Sequence, residues 1–160
     1  MLNATRFNRS ANRYTIKTSL TANHYTLNFN PHAIMDKFSF LDLRVYKESK
    51  MLVREVYSLM ERFPKSENYA LSDQLRRAVV SVSSNIAEGS GRFSVKEKIH
   101  FMEIAYGSLI ETLCQLDIAR DLGYISDDEF ANEKDRINVI GKQLSGMRTS
   151  FQKQLEAAPR

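Results

Sequence analysis

From Phe38 to the C-terminus, apolar residues recur at helical spacing almost without interruption, and this regularity excludes most folds. Leu75, Val79, Val82 and Ile86 follow a 4-3-4 spacing, which makes a bundle seam in spite of their β-branched content. Ile99, Met102, Tyr106, Leu109, Leu113 and Leu116 follow a 3-4-3-4-3 spacing. Phe130, Ile137, Ile140, Leu144, Met147 and Phe151 carry a third seam. Upstream, Val45, Tyr46, Leu52, Val53, Val56, Tyr57, Leu59 and Met60 share one broad apolar face of a helix running from about Leu41 to Arg62.

Local signals place the boundaries. Pro64 stops the first helix, and Phe63–Ser72 reads as a loop with Ser72 as N-cap. The second helix spans about Asp73 to Glu88, with Gly89 as the C′ residue. Ser94-x-x-Glu97 opens the third helix as a capping box, and Gly123 ends it. Ser126-x-x-Glu129 opens the fourth in the same way. The third and fourth helices would each span roughly 40 Å at the α-helical rise. Short connections make sequential helices antiparallel neighbours. The fold class is therefore all-α: an antiparallel up-down-up-down four-helix bundle over residues 38–156, with a short tail at 157–160. Gly141 and Gly146 either allow close helix approach or are tolerated at a cost of about 1 kcal/mol each.

The apolar face of the first helix is wider than a bundle stripe needs, and Phe101, Ile104 and Leu122 lie off the seam of the third. Such surplus marks a partner interface, and a second copy of the chain is the simplest partner.

The formal charge of +4 over 160 residues invites a nucleic-acid reading, but its location matters. Residues 1–37 hold Arg6, Arg9, Arg13, Lys17 and Lys37 against Asp36 alone; the remainder carries eighteen basic and eighteen acidic groups. Four readings of this leader stand: a disordered tail, a basic arm, a transit peptide, or an upstream extension of a frame that starts at Met35. The change of texture at Met35 favours the last. The lone Cys114 excludes an intrachain disulfide, reads as a small packing residue, and suits a reducing, cytoplasmic setting. No apolar run reaches a membrane span.

Catalytic patterns are sparse. Glu97-x-x-His100 stands alone where a di-metal bundle needs two such pairs, so no metal or other cofactor is expected, and His100 reads as a surface or interface residue. Glu88-Gly89-Ser90-Gly91-Arg92 follows a helix and lacks the Gly-Lys-Ser/Thr ending of a phosphate loop. No nucleophile–base set is credible, so an enzyme is not expected. The basic residues carry more. Arg44, Lys47, Lys50 and Arg54 fall opposite the apolar face of the first helix, Arg76 and Arg77 lie on the second, and Arg92 and Lys96 flank the next turn. They are the candidate phosphate-contacting set; a solvated charged face is the plainer reading.

Ser84-Asn85-Ile86-Ala87-Glu88-Gly89-Ser90-Gly91-Arg92 resembles the signature of the bacterial four helix bundle protein family, also called the 23S rRNA intervening-sequence protein family. Phe40-Leu41-Asp42-Leu43-Arg44-Val45-Tyr46, Phe63-Pro64, Leu75-Arg76-Arg77-Ala78 and Leu122-Gly123-Tyr124-Ile125 continue the likeness over about residues 38–150. Ser84 stands where the family has proline. The resemblance implies a ring-shaped homopentamer without catalytic activity. A relative, the accessory variability protein of diversity-generating retroelements, binds nucleic acid and a reverse transcriptase. The expected partners are thus copies of the chain and RNA, with a protein-binding scaffold as the alternative. Asn85 and Glu88 share a helix face within reach of Arg92, so Ser84, Asn85, Glu88, Gly89, Gly91 and Arg92 read as a hydrogen-bonded structural joint.

Overall fold

The computed structural model describes residues 39–157, and the readings of the leader lie outside them. A 3-10 turn over Ser39–Asp42 leads into α1 (Arg44–Met60), and a second over Lys65–Tyr69 leads into α2 (Leu71–Ser90). Two longer helices follow, α3 (Val95–Asp121) and α4 (Asp127–Ala157). Each helix packs on its chain neighbours and α1 closes the ring against α4, while the diagonal pairs make no close backbone approach. The described residues thus form an up-down-up-down four-helix bundle. No helix among them is long and apolar enough to cross a membrane.

The seam expected of α2 is the core: Leu75, Val79, Val82 and Ile86 have no exposed surface. They meet Leu52 and Val56 of α1, Met102, Leu109 and Leu116 of α3, and Ile140 and Leu144 of α4 in one cluster. Burying each such side chain is worth about 1.5–3 kcal/mol.

The seam expected of α3 is displaced. Met102, Ala105, Leu109, Thr112, Leu116 and Ala119 face the core, whereas Tyr106 is 43% exposed and Leu113 is half-buried. The small Ala105, Thr112 and Ala119 let α2 and α4 close on α3, and the larger side chains turn outward. Cys114 goes with them: it is exposed, contrary to the packing role expected of it. On α1, Val45, Leu52, Val56, Leu59 and Met60 are buried, Tyr46 and Val53 are half-buried, and Tyr57 is exposed.

Several boundaries also differ. The expected start at Leu41 falls in the 3-10 turn, and the helix begins at Arg44. Ser72 is not an N-cap but lies buried in the first turn of α2, and the Glu67 carboxylate accepts from the Leu71 N–H at 3.3 Å instead. Helix α2 passes through Gly89 to Ser90, so Gly89 is not a C′ residue. Ser94 is the N-cap of α3 but makes no side-chain cap bond, and the expected box with Glu97 does not form.

The α3–α4 turn follows expectation. The Tyr124 N–H donates to the Ala119 carbonyl and the Gly123 N–H to the Arg120 carbonyl, both at 2.9 Å, a Schellman ending with Gly123 at φ 73°. The Ser126 box forms in both directions: the Ser126 N–H donates to Glu129 Oε2 at 2.9 Å and the Glu129 N–H to Ser126 Oγ at 3.2 Å. A Cβ at Gly123 would meet nothing within 4 Å, so Gly123→Ala isolates the backbone effect. It should lower stability by about 1 kcal/mol in a urea titration. An unchanged midpoint would contradict the left-handed ending.

A Cβ at Gly141 would meet the Tyr106 ring at 3.5 Å and Leu109 at 3.7 Å, ordinary van der Waals distances, whereas Gly146 faces open space; neither glycine is required by a close helix approach.

Candidate nucleic-acid interface

The four basic residues of α1 project from an exposed face, and their neighbours divide them. Lys47, Lys50 and Arg54 turn toward α2. With Tyr46, Met51 and Val53 of α1 and Val80 and Ser83 of α2 they line an open groove of about 580 Å³. Among the described residues no carboxylate lines it. Lys50 Nζ stands 5.1 Å from the centre of the Tyr46 ring, a cation–π contact. Lys47 Nζ lies 3.7 Å from Asp42, an exposed pair worth little. Arg44 turns to the other flank of α1, toward Gln143, Gly146 and Met147 of α4, and lies 4.0 Å from Glu48. The stripe is therefore three residues on one groove and one on another.

The other candidates do not join that groove's lining. Arg77 pairs with Asp73 one turn earlier, and Arg76 donates to the Asn68 carbonyl at 3.5 Å, both at the start of α2. Arg92 pairs with Glu88 and lies 4.5 Å over the Phe101 ring. Lys96 is exposed in the first turn of α3. Arg92 is thus tied to the α2–α3 joint.

That joint is built from the signature residues and from others that sequence reasoning did not single out. Asn85 Nδ2 donates to the Ser81 carbonyl at 2.8 Å and to Ser81 Oγ at 3.0 Å, not to Glu88. Ser81 Oγ meets Ser108 Oγ of α3 at 2.9 Å. Ser81 and Ser108 lie 27 residues apart in sequence, and only the packing of α2 on α3 brings them together. A Cβ at Gly89 would come within 2.7 Å of Met102 Cε and 2.8 Å of Phe101 Cβ, so glycine is what lets α2 and α3 converge there. Gly91 ends the helix in the right-handed region, and Ser84 is exposed.

One charged cluster lies between α1 and α4. Glu133 is buried, 3.6 Å from Arg136, which in turn lies 3.9 Å from Glu48 of α1. Burial raises the Glu133 carboxyl above the ordinary carboxylate range; Arg136 opposes the rise and Glu55 adds to it. A carboxyl raised by folding stabilises the protein most below its unfolded pKa, and that contribution is lost as pH rises through the folded value. Glu133→Gln should therefore hold or raise the melting temperature at neutral pH and lose that advantage in acid. A large loss at pH 7 would instead mean that the Arg136 pair outweighs desolvation. Glu129 behaves oppositely. The Ser126 N–H and Arg62, at 2.5 Å, hold its carboxyl low, so its contribution is present at neutral pH and lost as pH falls through the depressed value.

Among the described residues no group of three or more His, Cys, Asp and Glu side chains converges as a metal site would require. His100 is exposed.

Taken together, a four-helix bundle with short antiparallel connections, a Glu88–Arg92 pair at the α2–α3 turn and a basic groove on α1 defines a small helical bundle protein. The chain belongs to the 23S rRNA-intervening sequence protein family, whose family model matches residues 41–146. A crystal structure of a protein of unknown function from the S23 ribosomal protein family of Bacteroides thetaiotaomicron shares the fold. Its TM-score is 0.59 at 20% identity, covering 65% of this chain and 97% of that one. The comparison with curated proteins finds no match.

Proposed function

We propose that the protein is a non-enzymatic oligomer, a pentameric ring in the manner its family resemblance implies, that binds RNA through α1. The observation that carries the RNA reading is the carboxylate-free groove of Lys47, Lys50 and Arg54, in a chain of this family. Lys50 and Arg54, with Lys47 beside its exposed partner Asp42, attract a phosphate backbone, and repetition around a ring would multiply a patch that is modest in one copy.

The reading of self-association rests on α3. Met102, Leu109 and Leu116 of this helix face the core, while Ile104, Tyr106, Ile110 and Ile118, followed by Leu122 at its C-cap, are exposed among charged residues. Large apolar side chains left on the outer side of a packed helix are the kind of surface that a second copy covers.

Fluorescence anisotropy with a structured RNA tests the function. Affinity should fall steeply between low and moderate salt, and Lys50→Glu with Arg54→Glu should lower it at least about tenfold and flatten the salt slope. Absence of salt-sensitive binding by a chain beginning at Met35 would overturn the reading and leave the groove to a protein partner.

A further inference from the structure

Resting on the RNA reading, we infer that the α1–α2 groove takes a single strand with an unstacked base, and not the outside of a duplex. The groove combines two kinds of surface. Its cations are Lys47, Lys50 and Arg54; its apolar lining is Met51, Val53 and Val80, beside Tyr46. A duplex presents mainly phosphates and sugars to such a site, and its stacked bases have no use for an apolar floor. A single strand presents both chemistries at once: phosphates for the cations and the apolar face of a base for the floor.

The residues are arranged accordingly. Met51 is 44% exposed and Val80 39% exposed, so each keeps open apolar surface in a position where the fold does not need it covered. Lys47, Lys50 and Arg54 lie within two turns of α1, a span of about 10 Å, which accommodates roughly two phosphates of an extended strand. Lys50 and Phe40 already lie against the Tyr46 ring, so the aliphatic side chains of Met51, Val53 and Val80 form the receiving surface. Charge complementarity selects an anionic occupant, and the apolar floor selects one that carries apolar faces between its charges.

The experiment compares probes that share a backbone. A single-stranded RNA of about twelve nucleotides, an abasic oligonucleotide of equal length, and a duplex of the same sequence are titrated at one salt concentration. The single strand should bind at least about tenfold more tightly than the abasic probe, the loss expected for one base contact. Met51→Ser with Val80→Ser should bring the single strand down to the abasic value and leave duplex binding unchanged. Both positions are surface-exposed, so the variant should keep its helical circular dichroism and melting temperature. Equal affinity for single-stranded, abasic and duplex probes would overturn this inference while leaving RNA binding intact. Absence of salt-sensitive binding to all three would overturn both. Binding instead of an acidic amphipathic peptide, lost in the same double variant, would also overturn both and assign the groove to a protein helix.

Discussion

Gly89→Val lowers the stability of the bundle by about 2–3 kcal/mol, a fall of roughly 10 °C in melting temperature for a domain of this size. The expected loss comes from one contact. The added Cβ would overlap Met102 Cε at 2.7 Å and Phe101 Cβ at 2.8 Å. The methionine end can move, but Phe101 Cβ is fixed to the α3 backbone and its ring lies under Arg92. Relief must therefore come from parting α2 and α3 where they pack most closely. Intrinsic propensity runs the other way, since valine suits a helix interior better than glycine by a few tenths of a kcal/mol. Gly146→Ala is the matched control: its Cβ meets nothing within 4 Å, and it should raise stability by up to about 1 kcal/mol. Urea denaturation with unchanged slope measures both. A native-like midpoint for Gly89→Val would show that the joint is not tight.

If the proposed self-association holds, Tyr106→Glu with Ile110→Glu should convert the oligomer into single chains of 18.4 kDa, read by light scattering, with helical content retained. Both side chains are nearly half exposed on α3, so the fold loses little when they become acidic, while an apolar contact between copies would have to bury two carboxylates. The same double substitution on α1, at Lys47 and Lys50, should leave the mass of the assembly unchanged, which separates association from RNA binding. Native protein that is monomeric at micromolar concentration, or a double variant that keeps the native mass, would refute association through this face.

The architecture was legible because a bundle is written in spacing. The 4-3-4 pattern of α2 named its buried residues, and Gly123 and Ser126 named the α3–α4 turn down to its hydrogen bonds. What escaped was decided by size and by neighbours. On α3, the stripe through Tyr106 and Leu113 and the stripe through Ala105 and Thr112 have the same period; hydropathy prefers the first, and close approach of α2 and α4 selects the second. Ser72 looked like an N-cap from its type alone, yet Glu67, five residues earlier, already capped that turn. The basic residues of α1 were visible as a set. Their division between two grooves depends on where α2 and α4 lie beside α1, which no local pattern contains. The Glu88–Arg92 pair follows from one-turn spacing, whereas the Ser81–Ser108 contact, between residues 27 apart, depends on how α2 packs on α3.

The narrow inner side of α3 has an evolutionary corollary. Ala105, Thr112 and Ala119 admit no larger residue without forcing the helices apart, so that side is closed to most change. Ile104, Tyr106, Ile110 and Ile118 reach solvent and tolerate exchange more readily than that inner side. Two non-overlapping sets of positions on one helix thus answer to separate selection. A lineage could rewrite the outward surface of this helix while inheriting its fold intact.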